Sequence, residues 1–389
     1  MLVSAADRRL TGVKSTKVLV AEAHDHLKLL ENIYHLLKNH CDVSFYVNRS
    51  VLKEWSSIFP SANQTTVIVN ELHSSTFFLW LLFHARRFDY VNISTGPEGN
   101  HFSDSINIVC FYLCCILYGK KIVLTVRRVK PYIRSGGGLF SYVRSRGIKH
   151  LNRFTFETRT VRDVFREYTD RKSCYLGVSY DRYTDLCGTK MCAARSRLPG
   201  GTIRIGLLGM VNPERREYGI ITSALGGLSS EERLRMVFVT LGGCCGDRNK
   251  RVIEGLAKYV KVDCVDGILS AEQFDERGSG CDILISPLNR DYGTFNGSGS
   301  FGDAIYLRKK IILPSYVDKN GEFKEIAVYY ETAEDLQEIF REIGQVSRIA
   351  ADPIYYDQFT TRTVFKVLVD DLGFCNQENA CSSWKCAAR

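Results

Sequence analysis

Short continuous runs of apolar residues alternate with amphipathic stretches over most of the chain. The runs at residues 17–21 (KVLVA) and 43–47 (VSFYV) enclose a segment in which apolar residues recur at helical spacing. A strand that is apolar on both faces is typical of a parallel sheet covered by helices. The pattern therefore predicts a β-α-β unit near the start of the chain.

The same alternation continues along the chain and then begins again. Helices are predicted at residues 77–88 and 104–118, and strands at residues 90–93 and 121–126. A second series of strands is predicted at residues 203–208, 236–240, 260–264, 282–286 and 310–313. Alternating elements of this length form doubly wound parallel sheets, so we predict an α/β protein with two Rossmann-like domains and a cleft between them.

A polar, basic segment that ends in Pro199-Gly200-Gly201 separates the two series. At 389 residues the chain also exceeds what one ordinary hydrophobic core supports. We therefore predict an N-terminal domain (1–185), a linker (186–201), a C-terminal domain (202–353), a helix that crosses back to the N-terminal domain (354–372) and a tail (373–389).

Charge is unevenly distributed. The net charge is +9, and residues 105–156 contain ten Lys and Arg but no Asp or Glu. Phospholipid headgroups, a diphosphate-bearing acceptor and nucleic acid all fit such a field, and a solvated basic face without a ligand is the alternative. Arg127, Arg128 and Lys130 follow a predicted strand in this region, and we assign them to an acceptor or membrane surface. Nucleic acid is not expected, because aromatic residues are not interleaved with the cations.

The absence of several motifs argues against a nicotinamide dehydrogenase, a P-loop protein and a metal site. No G-x-G-x-x-G follows the first strand of either domain, no G-x-x-x-x-G-K-[ST] occurs, and no paired C-x-x-C or H-E-x-x-H predicts a metal site. Charged residues within residues 1–10 and scattered cysteines lead us to expect a reduced, cytoplasmic protein, with peripheral contact to the inner face of a membrane. Residues 106–118 are too few for a membrane span, and we expect them to form a buried helix.

Two segments of the second domain carry residues suited to an anionic ligand. Gly209 follows the first strand, and Arg215 and Arg216 lie at the predicted start of the next helix, where guanidinium groups and a helix N-terminus both favour a diphosphate. Arginines that are only solvated at a helix start are the alternative.

The second segment follows the strand at residues 282–286. Gly297, Ser298 and Gly299 open a helix there, so their backbone N–H groups can cradle a phosphate, and Asp303 one turn later can accept hydrogen bonds from a ribose. A loop with an ordinary helix cap is the alternative.

The spacing of these two segments, with the strand at residues 310–314 that follows, resembles the C-terminal domain of retaining glycosyltransferases of GT-B architecture. This large family (glycosyl transferases group 1) includes glycogen and sucrose synthases and many bacterial polysaccharide and lipopolysaccharide transferases, and the likeness spans residues 17–372. In the family a lysine binds the donor diphosphate, and the matching position is Arg215. A ribose-binding acidic residue matches Asp303, and the segment around Ile268 matches the part that holds the nucleotide base.

Two positions depart from the family pattern. Met210 stands where the family has an arginine, so we expect Arg216 to supply the missing charge, and Phe295 replaces the first glutamate of a pair. The resemblance implies a hexosyltransferase that needs no metal or other cofactor and passes a sugar from a sugar nucleotide to a glycan or lipid-diphosphate-linked acceptor. Because of the two departures, a non-catalytic carbohydrate- or nucleotide-binding protein on the same fold is the alternative.

Two histidines of the first domain follow predicted strands. His24 lies after the strand at residues 17–21, and His101 lies in the loop after the strand at residues 90–93. Open α/β sheets bind ligands at the carboxyl ends of their strands, so both are candidates for contact with the acceptor or the transferred sugar. A histidine in a loop that plays no part in chemistry is the alternative.

Overall fold

The chain divides into two compact units, each built on one parallel sheet. The computed structural model describes residues 16–23, 27–38, 40–51, 66–70, 76–97, 104–132, 139–169, 175–178, 201–267, 269–348 and 352–372. The first unit comprises residues 1–157, 162–181 and 361–389, and the second comprises residues 158–161 and 182–360. Apart from Gly201, the predicted linker at 186–201 lies outside the described residues, as does the tail at 373–389.

Seven strands form the sheet of the first unit, in the order β3-β2-β1-β4-β5-β6-β7. All of its neighbouring strands pair in parallel. The strands are β1 (Lys17–Glu22), β2 (Asp42–Asn48), β3 (Thr66–Asn70), β4 (Tyr90–Thr95), β5 (Ile122–Val126), β6 (Arg153–Phe156) and β7 (Tyr175–Val178). The helices are α1 (Leu27–Leu37), α2 (Phe77–His84), α3 (Ser105–Tyr118), α4 (Leu139–Gly147) and α5 (Arg159–Thr169).

Six strands form the sheet of the second unit, also parallel throughout, in the order β10-β9-β8-β11-β12-β13. The strands are β8 (Ile203–Leu207), β9 (Met236–Thr240), β10 (Lys261–Asp263), β11 (Ile283–Ile285), β12 (Ile311–Pro314) and β13 (Ala327–Tyr330). The helices are α6 (Tyr218–Gly226), α7 (Ser230–Leu234), α8 (Asp247–Ala257), α9 (Ala271–Ser279), α10 (Ser300–Leu307), α11 (Ala333–Arg341), α12 (Ile343–Val346) and α13 (Pro353–Asp357).

The last described helix, α14 (Thr361–Leu372), belongs to the first unit, whereas α13 belongs to the second. The Phe365 ring of α14 stacks on His40, which follows α1, with 3.7 Å between the ring centroids. The predicted run at residues 354–372 is therefore two helices that lie in different units.

Apolar burial explains why these segments fold as strands. Val18, Leu19 and Val20 of β1 are fully buried, as are Ile205 and Leu207 of β8. Both strands lie inside their sheets with neighbours on either side, where continuous apolar runs are expected. Local capping sets several helix starts: the Ser270 hydroxyl accepts from the N–H of Gln273, and the Gln273 side chain accepts from the N–H of Ser270.

The helix at residues 105–118 corrects one expectation. Its inward face is buried through Ile108, Phe111 and Cys114, but Ile106 and Leu117 on its outward face are 52% and 63% exposed. The helix is therefore apolar on both faces rather than buried. Among the described residues, no helix combines the length and the apolarity that crossing a membrane requires.

Candidate functional site

The two candidate segments of the second unit follow adjacent strands. β8 pairs directly with β11, and the strand order runs away from this pair in opposite directions on its two sides. Such a reversal opens a crevice outside the carboxyl ends of the two strands, where doubly wound sheets bind ligands. The loop with Gly209 leaves β8 and the loop with Ser298 leaves β11, so the fold brings both to one crevice.

Gly209 is required by the packing of its own loop. Its φ is +74°, and a Cβ there would lie 2.0 Å from Nη2 of Arg216. Gly242, which follows β9, approaches the same loop so closely that a Cβ would lie 2.2 Å from the carbonyl carbon of Gly209. Because Gly209 and Gly242 have no side chains, the loops after β8 and β9 can touch, and the guanidinium group of Arg216 fits beside Gly209.

Arg216 is the buried member of the arginine pair. It is 8% exposed, its Nη1 donates to the carbonyl of Met210 at 3.0 Å, and its Nε has no partner in the described part of the chain. Burial lowers the pKa of its guanidinium, and Arg215 lowers it further, whereas Asp303 is near enough to raise it. Arg216 therefore places a buried positive charge against the Gly209 loop, and the carboxylate of Asp303 still acts on it electrostatically.

Arg215 points its charge outward. Its side chain is exposed, and its guanidinium carbon lies 5.0 Å from the centre of the Tyr292 ring. Asn289 joins the two loops, because its N–H donates to the carbonyl of Arg215 at 3.0 Å and its Oδ1 accepts from the N–H of Tyr292 at 2.9 Å. A cation over an aromatic face keeps its remaining N–H donors available to an anion.

The sequence predicts that Arg215 and Arg216 begin the next helix, but both residues lie before it. Their N–H groups donate to the carbonyl of Asn212 at 3.1 Å, which closes a turn, and α6 starts only at Tyr218. Tyr292 and Asn289 were not singled out by the sequence, since neither belongs to a glycine-rich or charged motif. The contacts of these two residues with Arg215 hold the loops after β8 and β11 together.

Three serine hydroxyls fix the loop that leads into α10. Ser300 Oγ lies 2.9 Å from Ser286 Oγ and accepts from Ser298 Oγ at 3.1 Å, while Ser298 Oγ accepts from the N–H of Ser300 at 3.3 Å. All three side chains are buried. Ser298 thus holds the start of the helix in place with its hydroxyl.

The N-terminus of α10 presents unused donors. Gly299 is its N-cap residue and supplies no side-chain cap, as the small residues of the sequence suggested. No acceptor in the described part of the chain meets the N–H groups of Phe301 and Gly302. Free N–H groups and the positive end of the helix dipole together favour an anion.

Asp303 stands on the first turn of α10. Its N–H donates to the carbonyl of Gly299 at 2.8 Å, and its side chain is half-buried. Gly297 precedes the same helix start by three residues. The carboxylate therefore borders the same helix end whose N–H groups are unused, where it can accept hydrogen bonds from hydroxyl groups.

The segment predicted to hold a base continues the β10 edge of the sheet. The N–H of Val265 donates to Thr240 Oγ1 at 3.3 Å, and Gly267, with a φ of +87°, bridges to Cys244. Ile268 lies outside the described residues. Its contact with a base stays a prediction.

The first unit has an equivalent crevice between β1 and β4, which are adjacent and parallel and where the strand order also reverses. Glu22 ends β1 fully buried and accepts from the Thr95 hydroxyl at 3.0 Å. His24 and His101, assigned to chemistry from the sequence, lie outside the described residues. The strands that precede both histidines do lead to this crevice.

Arg127, Arg128 and Lys130 do not form one exposed surface. The Arg127 side chain is 17% exposed, and its Nη2 lies 2.7 Å from a carboxylate oxygen of the buried Glu157. Arg128 and Lys130 are exposed. Because its charge is taken up by an internal ion pair, Arg127 supports the first unit rather than an outside contact.

Among the described residues, no group of three or more His, Cys, Asp and Glu side chains converges as a metal site would require.

No protein-family model matches the chain, and no curated protein matches its sequence. Solved structures match it in fold. HepE of Anabaena in complex with UDP gives a TM-score of 0.62 at 10% identity, over 92% of this chain and 100% of that one. UDP-GlcNAc 2-epimerase of Neisseria meningitidis bound to UDP-GlcNAc gives 0.55 at 14% identity, over 92% and 99% of the two chains.

The S. aureus MnaA–UDP structure gives a TM-score of 0.56 at 10% identity, over 94% of this chain and 98% of that one. Identities this low establish the fold alone. They confirm the predicted fold class, two Rossmann-like domains of GT-B architecture.

Proposed function

We propose that the protein is a glycosyltransferase that takes a sugar from a nucleoside-diphosphate sugar and passes it, with retention of configuration, to a hydroxyl of a glycan or lipid-linked acceptor. One observation carries the proposal: the unused N–H groups at the start of α10 and the outward guanidinium of Arg215 stand on loops that leave the paired strands β8 and β11. This set of donors suits a diphosphate.

The reaction breaks the bond between the anomeric carbon and the diphosphate oxygen and forms a bond from that carbon to the acceptor oxygen. The acceptor proton passes to the departing diphosphate. Negative charge grows on the leaving group, so fixed donors aimed at it lower the barrier. Arg215 and the α10 N–H groups supply that stabilisation in the proposal, and the charge of Arg216 adds to the field from below the loop.

The likeness to solved structures supports a nucleotide ligand of this class. Two of the three named structures contain UDP, and the third contains UDP-GlcNAc. The match to each of them covers at least 92% of this chain.

A second candidate function is epimerisation of a sugar nucleotide, because one of the matched structures is the UDP-GlcNAc 2-epimerase of Neisseria meningitidis. Inversion at C2 of the sugar must break and remake the C2–H bond, so it exchanges that hydrogen with solvent. Glycosyl transfer leaves C2 untouched and releases the nucleoside diphosphate. The fate of the C2 hydrogen therefore separates the two reactions.

The test is incubation of the purified chain with a panel of sugar nucleotides in D2O, with and without glycan and lipid-diphosphate acceptors, followed by NMR. We expect release of nucleoside diphosphate that depends on the acceptor, a product with the donor's anomeric configuration, and no deuterium at C2. Deuterium at C2 without release of nucleoside diphosphate would contradict glycosyl transfer and indicate epimerisation. A ligand-induced thermal shift with neither product would show a binding protein, the reading that Met210 and Phe295 favour.

A further inference from the structure

Helix α3 carries apolar side chains on the face that points away from the sheet. Helices at the surface of soluble domains present polar residues there. The exposed residues recur at helical spacing, so they form one stripe about 16 Å long. They are Ile106 (52% exposed), Val109 (49%), Leu113 (38%), Ile116 (43%) and Leu117 (63%).

The neighbouring helices extend this stripe on both sides. α2 lies against α3, since the Tyr118 hydroxyl donates to the carbonyl of Leu82 at 3.0 Å, and the next residue of α2, Phe83, is 62% exposed. On the other side α4 approaches so closely that a Cβ at Gly147 would lie 3.3 Å from Cα of Tyr112. α4 adds two further exposed side chains, Leu139 (73%) and Tyr142 (40%). These eight residues constitute the α3 face.

Cations border the α3 face at one end. Exposed basic residues lie at or just after the last turns of α2, α3 and α4: Arg86, Arg87, Lys120, Arg146 and Lys149. The aromatic ring of Tyr142 lies beneath Arg146, with 5.3 Å between the guanidinium carbon and the ring centre. The apolar face and the cations therefore belong to one continuous surface of the first unit.

We propose that the α3 face docks on an anionic lipid surface, with its apolar side chains at the acyl boundary and its cations among the headgroups. A lipid surface supplies both an apolar layer and negative charge, which is the complement of this surface. The same face of a second copy does not, because residues 105–156 hold ten cations and no acidic residue. Docking does not depend on the nucleotide crevice, and it is a property separate from the proposed glycosyl transfer.

The experiment is flotation of the full chain with vesicles of phosphatidylcholine alone or mixed with phosphatidylglycerol. We expect binding to the anionic vesicles that weakens with added salt, and little binding to the neutral ones. The double substitution Ile116→Glu and Leu117→Glu, both at exposed positions, should weaken binding more than tenfold. Lys120→Gln with Lys149→Gln should weaken it about fivefold for each cation.

Matched variants in the second unit keep the test specific. Leu234→Glu with Ile354→Glu changes two side chains that are 79% and 74% exposed, and Lys258→Gln with Lys261→Gln removes two exposed cations. Both should float like the unaltered chain. Equal flotation of the α3-face variants and the unaltered chain would overturn the proposal, as would equal binding to neutral vesicles. A stable dimer that the α3-face substitutions dissociate would overturn it in favour of self-association.

Discussion

Arg215→Ala should lower kcat/KM for the sugar nucleotide by about 10²–10³-fold, the usual loss when one fixed donor to a developing anion is removed. The guanidinium is exposed and stacks on Tyr292, so its removal leaves no cavity and no buried group without a partner. The melting temperature should therefore stay close to that of the unaltered chain. Steady-state kinetics with the donor found in the panel, beside a thermal melt, measure both quantities.

Arg233→Ala is the matched control. Arg233 also lies over a tyrosine ring, 5.6 Å from the centre of Tyr259, but it belongs to α7, which precedes β9 rather than following the end of a strand in the crevice. Its replacement should leave kcat/KM within about twofold of the original value, since it makes no contact with the anion. Activity of Arg215→Ala equal to that of Arg233→Ala would remove Arg215 from the donor site.

Gly242→Ala should lower the free energy of unfolding by about 1–3 kcal/mol, the cost of forcing an extra methyl group into a packed site. The new Cβ would lie 2.2 Å from the carbonyl carbon of Gly209 and 2.4 Å from the N atom of Met210. Backbone atoms cannot rotate aside as a side chain would, so the loop after β8 must move. That movement displaces Gly209 from Arg216. We therefore expect nucleotide binding to weaken as well as the free energy of unfolding to fall.

Gly255→Ala is the control for the glycine substitution. Gly255 lies within α8, and a Cβ there meets nothing within 4 Å. Alanine in a helix interior should raise the free energy of unfolding by about 0.5–1 kcal/mol. Urea unfolding of both variants measures the contrast. If the two variants are equally stable, the contact between the loops after β8 and β9 does not define the crevice.

The sequence predicted the inner strands well because they are buried on both faces. β1 and β12 contain continuous apolar runs, and β8 is interrupted only by Arg204 and Gly206. The strands that it did not predict are short, such as β6 (Arg153–Phe156) and β13 (Ala327–Tyr330). A run of four residues carries too little periodicity to separate strand from loop.

The loops of the candidate site leave the strands after which the sequence places them, but the sequence did not predict their geometry, and the role of their residues in binding stays a prediction. Gly209, Arg215 and Asp303 were singled out because loops after parallel strands bind anions, and the structure places their loops beside each other. The sequence could not tell that Arg216 is buried and Arg215 exposed, because a turn closed on the carbonyl of Asn212 decides which side chain faces inward. The sequence does not indicate Tyr292 either, because its ring contacts Arg215, which lies on a different loop.

The diphosphate site is tested most directly by comparing the affinity of the free nucleoside diphosphate with that of its nucleoside, for the base that the panel selects. Isothermal titration should show the diphosphate binding at least a hundredfold more tightly, because each charge-assisted hydrogen bond to it contributes about 1.5–3 kcal/mol. In Arg215→Ala this ratio should fall at least tenfold. Equal affinities for the two ligands, or a ratio that Arg215→Ala leaves unchanged, would contradict a diphosphate site formed by Arg215 and the N-terminus of α10.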